Sequence, residues 1–189
     1  MFPPHSTELL HAILPGQIAE GDLAIDATAG NGHDTVMLAR AVGASGKVIA
    51  LDIQQVAIEA TRGRLDNENL LDRVSLHGIS HTRLAELAAP ASAQAIIFNL
   101  GYLPGADREI ITRTPDTLLA LSTAVALLKP GGILAVIAYP GHSSGMDEAR
   151  AVEKFIHALP DHRIARYSLV ATKNPAPFLL LARNGRKKL

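Results

Sequence analysis

The chain has 189 residues, 48% hydrophobic and 19% charged, which is the composition of one globular domain with ample length for a single core and excludes wholesale disorder. Its 18 basic and 18 acidic residues cancel, yet seven of the basic ones and none of the acidic ones fall in 162–189, so the body is acidic and the end basic. That asymmetry suits a polyanionic partner or a solvated, frayed end.

The absence of cysteine excludes disulfides, thiolate metal sites and a cysteine nucleophile. No apolar run approaches the ~18 residues of a membrane span, and Met1-Phe2-Pro3-Pro4-His5 lacks the pattern of a secretory leader. A cytoplasmic protein is expected. With 4% aromatics and no tryptophan, a surface that binds RNA chiefly by stacking is disfavoured.

In chain order, Ser6 caps a predicted helix from Thr7 to about Ile18, with Pro15-Gly16 as a candidate early break, and 22–28 reads as a strand. A tight loop, 29–33, opens a helix from Asp34 to about Ala41. Strand 47–52 precedes helix 54–65, and a short strand 73–77 precedes helix 82–88. Strand 94–99 runs into the loop Leu100-Gly101-Tyr102-Leu103-Pro104-Gly105. Helix 115–128 is stopped by Lys129-Pro130-Gly131-Gly132, and strand 133–139 follows. Helix 146–158 and two strands, 163–171 and 177–182, complete the chain as a hairpin. The alternation predicts a single α/β domain over 1–189: a doubly wound, mostly parallel seven-stranded sheet closed by an antiparallel hairpin.

In such sheets ligands bind beyond the carboxyl ends of the strands. The first strand ends in Asp26-Ala27-Thr28-Ala29-Gly30-Asn31-Gly32-His33-Asp34, where the glycines permit a sharp turn and the following helix offers free N–H groups. A dinucleotide fingerprint needs a third glycine where Thr35 stands, and a carboxylate at the strand end suits a cationic ligand better than a pyrophosphate. A tight strand–helix connection accounts for the same glycines. Asp52, at the end of the second strand, can accept the hydroxyls of a ribose or cap the next helix. His81 falls where an adenine edge would lie, or sits in a Ser80-capped turn.

Asn99-Leu100-Gly101-Tyr102-Leu103-Pro104-Gly105 is the most informative segment. Asn99 offers a carbonyl that can hold an amine, Gly101 permits close approach, and Tyr102 presents a flat ring; an amide-capped turn is the plainer account.

These segments, together with Asp52-Ile53-Gln54 and Tyr139-Pro140-Gly141-His142, resemble over nearly the whole chain the rRNA methylase family of class I S-adenosylmethionine-dependent methyltransferases. That family includes the bacterial enzyme that methylates the aminomethyl nitrogen of wobble 5-aminomethyl-2-thiouridine in tRNA. One departure is Pro140, where a histidine is expected. The resemblance implies S-adenosylmethionine as cofactor, with Asp26, Ala27, Gly30, Asn31, Gly32, His33, Asp34 and Thr35 around its methionine part. Asp52 would take the ribose, Ile53 and Gln54 the adenine side, and His81 the adenine edge. Asn99, Leu100 and Gly101 would face the target amine and Tyr102 would stack near the base. It implies tRNA, at its anticodon, as substrate; the oligomeric state, homodimer included, stays open.

An alkylammonium has no lone pair, so the amine must lose a proton before attack, and His142 or His33 is the candidate acceptor. Arg62-Gly63-Arg64 reads as a solvated helix face, and Arg108 and Arg113 as phosphate contacts or surface ion pairs. No histidine spacing indicates a metal site. Competing readings are another RNA amine, a small-molecule amine, a nicotinamide-dependent oxidoreductase and a catalytically silent RNA-binding domain. The oxidoreductase lacks its third glycine, and a silent binder has no use for Asp26, Gly30, Gly32, Asp52 and Asn99 together.

Overall fold

A computed structural model describes residues 4–101, 112–141, 145–170 and 175–185. Five helices and seven strands follow one another as α1 (Ser6–Ile13), β1 (Leu23–Asp26), α2 (His33–Ala41), β2 (Lys47–Leu51), α3 (Gln55–Asn67), β3 (Val74–His77), β4 (Ala93–Asn99), α4 (Thr114–Leu127), β5 (Leu128–Ala138), α5 (Gly145–His157), β6 (His162–Ser168) and β7 (Phe178–Asn184). The strands form one sheet in the order β3-β2-β1-β4-β5-β7-β6. The first five are parallel, whereas β7 pairs antiparallel with both β5 and β6. This is the seven-stranded α/β architecture expected from the sequence. The closing hairpin inserts its second strand next to β5 and leaves β6 at the edge.

Alternate residues of the strands feed two cores. Ile25, Leu51, Ile96, Phe98, Val136 and Leu180 pack with α4 and α5 through Leu121, Val152 and Ile156. Ala24, Val48, Ile97, Ala135, Ile137 and Leu179 face α1 and α2 through Leu10, Leu14, Val36 and Leu38. Both faces are covered, which is why the strands read as continuous apolar runs.

The differences from the predicted elements are local. His5, not Ser6, caps α1, with Glu8 reaching back to its backbone N–H at 2.9 Å. Pro15 then breaks the predicted long helix into a separate 3-10 turn, Pro15–Gln17. The predicted helix at 82–88 is a 3-10 segment, His81–Glu86. β5 begins at Leu128 opposite Ala93 and resumes the ladder at Ile133 opposite Ala95, so Lys129–Gly132 bulges out of a strand predicted to start after it. A Cβ on Gly132 would lie 2.9 Å from the Ala93 carbonyl, so this bulge tolerates no side chain there.

Candidate active site

β1, β4 and β5 end side by side, β1 and β4 being the point where the strand order reverses. Beyond their carboxyl ends lies a cleft of about 670 Å³. Twelve of the fifteen cofactor-site residues predicted from the sequence line it: Ala27, Gly30, Asn31, His33, Asp34, Asp52, Ile53, Gln54, His81, Asn99, Leu100 and Gly101. Tyr102 and His142 lie outside the described residues.

Asp26, Gly32 and Thr35 do not line the cleft. Asp26 is fully buried beneath its floor, where Oδ2 accepts from Thr35 Oγ1 at 2.6 Å and Oδ1 from the Thr28 N–H at 3.2 Å. Burial, reinforced by the charge of Asp34, pushes its carboxyl up to about 7. The strand turns Asp26 inward under the first turn of α2, so Asp34, eight residues on, is the carboxylate that faces the cleft. Gly32 has φ +80°, and a Cβ there would lie 2.9 Å from Thr61. Its role is to let α2 start in a left-handed turn hard against α3.

On the β2 side of the cleft, Asp52 Oδ2 accepts from the Gly30 N–H and Oδ1 from the Gln54 N–H, both at 2.9 Å. The carboxylate ties the two backbone turns together and keeps lone pairs for a vicinal diol. Ile53, 57% exposed, presents an apolar wall beside it. His81 packs edge-on against Phe98 with ring centroids 5.9 Å apart, and burial holds its pKa below the usual value, so its imidazole is neutral. Its Nε2 is buried without a hydrogen-bond partner among the described residues. Arg64, read from the sequence as solvated, donates from Nε to the Asn31 carbonyl at 2.8 Å and braces the glycine loop.

On the opposite side, Asn99 ends β4. Its N–H donates to Thr28 Oγ1 at 2.7 Å, and its side-chain Nδ2 donates to Asp34 Oδ2 at 3.1 Å. The nitrogen being committed to Asp34, the carbonyl oxygen is the atom left to accept from an amine. Burial raises the pKa of the Tyr139 hydroxyl above its ordinary value, with Thr7 and Asn99 opposing the shift. His33 stands exposed at the lip; burial of its ring and then the charge of Arg64 lower its pKa, leaving it a neutral acceptor.

Gly101 and Thr112 are tied to each other. Gly101 N–H donates to Thr112 Oγ1 at 3.1 Å, and Thr112 N–H returns a bond to the Gly101 carbonyl at 3.2 Å. Thr112 Oγ1 in turn donates to Glu148 Oε2 at 2.7 Å, and Thr117 Oγ1 to Glu148 Oε1 at 2.7 Å. Sequence reasoning missed Thr7, His11, Thr112, Tyr139 as a polar group, and Glu148. Apart from Tyr139, which opens the Tyr139-Pro140-Gly141-His142 segment, none belongs to a motif, and each reaches the site through tertiary packing. Among the described residues no cluster of histidine, aspartate and glutamate is arranged to hold a metal ion.

A cleft over the switch point, with the Asp52 carboxylate on one side and the Asn99 amide on the other, has the geometry of the class I methyltransferase fold. Comparison with known proteins narrows the class: residues 48–183 match the family model described as "Putative rRNA methylase", and the chain belongs to that family. A crystal structure of a protein of that description from Clostridium thermocellum superposes with TM-score 0.92 at 36% identity, covering 97% of this chain and 99% of that one. SMU.1697c from Streptococcus mutans, solved in complex with SAH, gives 0.86 at 33% identity over 96% and 99%. Among curated proteins, the chloroplastic tRNA (mnm(5)s(2)U34)-methyltransferase of Arabidopsis thaliana is 40% identical over 164 residues, 82% of this chain and 60% of that protein. The chain thus spans well under two thirds of that relative's length.

Proposed function

We propose that this methyltransferase uses S-adenosylmethionine to methylate the aminomethyl nitrogen of wobble 5-aminomethyl-2-thiouridine in tRNA. The observation that carries the reading is Asn99, which lines the cleft with its amide nitrogen held by Asp34, leaving its carbonyl oxygen as the side chain's acceptor. The name of the Arabidopsis relative and the SAH bound by the Streptococcus mutans protein support the substrate and the cofactor respectively.

The residues present suit the cofactor. Asp52 offers paired oxygens to a ribose, Ile53 and Gln54 a wall for a flat ring, and Gly30 backbone without a side chain. When bound, S-adenosylmethionine supplies an electrophilic methyl carbon. The protein supplies position and dryness. Asn99 accepts an N–H of the amine and aims its lone pair, while the Asp34 carboxylate at its side attracts the amine as it arrives in its cationic form. The amine must shed one proton before it can attack. His33, a neutral imidazole at the lip, is placed to take that proton, a part His142 shares in this reading. Arg113, exposed at the mouth, is a phosphate contact for the RNA.

The test incubates the protein and methyl-labelled S-adenosylmethionine with tRNA lacking the final methyl, followed by nucleoside analysis. Label is expected in 5-methylaminomethyl-2-thiouridine. Label confined to another tRNA or rRNA nucleoside would refute the substrate while keeping the enzyme class.

A further inference from the structure

The N-terminal helix places an imidazole directly behind the acceptor site. His11 Nε2 lies 2.5 Å from Asp34 Oδ1, while Asp34 Oδ2 accepts from Asn99 Nδ2 at 3.1 Å. The buried carboxylate is gripped by one nitrogen on each oxygen. That double grip decides which way the Asn99 amide faces, because a carboxylate held on one side only is free to turn and release it. Asp34 lines the cleft and His11 does not; a third of the histidine side chain, 32%, is open to solvent on the far side.

The helix carrying His11 is itself fastened to the closing hairpin. Ser6 Oγ donates to the Pro177 carbonyl at 3.1 Å, and the Tyr167 hydroxyl donates to the Pro4 carbonyl at 2.6 Å. One turn before His11, Thr7 lines the cleft together with Tyr139 and Asn99.

We infer that His11 is a positioning residue for amine methylation: it holds Asp34, and through Asp34 the Asn99 amide, and its charge tunes the acceptor amine. The inference rests on the reading that the acceptor is an amine bound at Asn99. The groups whose charge reaches His11 are Asp34 on α2 and Asp26 on β1, while His33 on α2 and the Tyr139 hydroxyl beyond β5 are neutral. The hydrogen bond to Asp34, opposed by burial and aided by the charges of Asp34 and Asp26, holds the imidazole pKa above its usual value. Its cationic form therefore persists towards neutral pH and is lost as pH rises. While it lasts, it offsets the negative charge of Asp34 and favours the uncharged, nucleophilic form of the bound amine.

The test uses the full chain with tRNA lacking the final methyl, the wild type being assayed first, then His11→Ala and His11→Gln. Gln keeps a donor but carries no charge. Expected are S-adenosylmethionine Kd values within about twofold of wild type, and a kcat for His11→Ala lower by on the order of tenfold or more at every pH. His11→Gln is expected to approach wild type near pH 9 and to fall behind it towards pH 6.5. Wild-type kcat and pH profile in His11→Ala would overturn the inference. So would a Gln variant that tracks Ala at every pH while both lose cofactor affinity, which marks a purely structural part. A wild type inactive on the aminomethyl uridine would instead remove the acceptor reading, and the inference with it.

Discussion

Asp26 and Asp34 carry the same functional group eight residues apart, and the fold assigns them different work. Asp34 faces the cleft with a nitrogen on each oxygen. Asp26 is sealed beneath it, with a carboxyl raised to about 7 by burial first and by the Asp34 charge second. Between pH about 4 and 7 the folded state holds a proton at Asp26 that the unfolded chain has released. Asp26 therefore contributes stability at low pH that is lost as pH climbs through that window. Asp26→Asn has no such proton to lose. Thermal melts of the two proteins should diverge in the variant's favour from pH 5 to pH 8, each kcal/mol amounting to roughly 2–4 °C for a chain of this size. Parallel curves would contradict the assignment. The sequence marks Asp26 as a ligand residue because it ends a strand beside glycines. What it could not carry is the inward turn of that side chain under Thr35, a matter of how α2 packs on β1.

At the scale of elements, α5 reaches the acceptor loop through a single buried carboxylate. Glu148 accepts from Thr112 and Thr117, and Thr112 clamps Gly101 from both backbone sides. Glu148→Gln leaves one carbonyl oxygen for two hydroxyls and sets an amide nitrogen against one of them. The clamp should slacken and kcat for tRNA should fall about tenfold, with cofactor Kd unchanged, since small displacements at a reacting centre are costly. A wild-type kcat would show that Gly101 does not depend on α5. The strands themselves were plain in the sequence, because double-sided burial makes apolar runs of β1, β2, β4 and β5. Element boundaries suffered where a breaker had two readings. Pro15 ended a helix early, and the Lys129–Gly132 turn became a bulge within β5. The position of α1 over the carboxyl ends was not legible at all, as nothing local in 6–13 says which face of a later sheet it will cover. His11 and Thr7 were missed for that reason.

For the molecule as a whole, the split charge that the composition conceals has a definite address. Arg183 stands opposite Ile133 in the ladder, and Arg163 stands opposite Arg183, both exposed. Ile133 is at the amino end of the regular part of β5, six residues before Tyr139, which places this like-charged pair roughly 20 Å from the cleft at ~3.3 Å per residue. Arg166, farther along β6, is occupied by Glu153 at 2.8 Å and by the Phe178 ring at 4.5 Å. These three described arginines therefore do not border the cleft, whose lining includes Arg113 among the described residues, while Lys173, Arg186, Lys187 and Lys188 lie outside the described residues. The charge split suited a polyanion or a frayed end; the proposed function rests instead on one amide at the end of β4. Its most direct test is the single-turnover rate of Asn99→Ala on tRNA lacking the final methyl, measured beside S-adenosylmethionine affinity. The rate should fall on the order of 100-fold, the scale of removing one positioned hydrogen-bonding group, while Kd stays within about twofold. A rate near wild type, or a loss fully explained by weaker cofactor binding, would contradict the assignment of Asn99 as the residue that holds the amine.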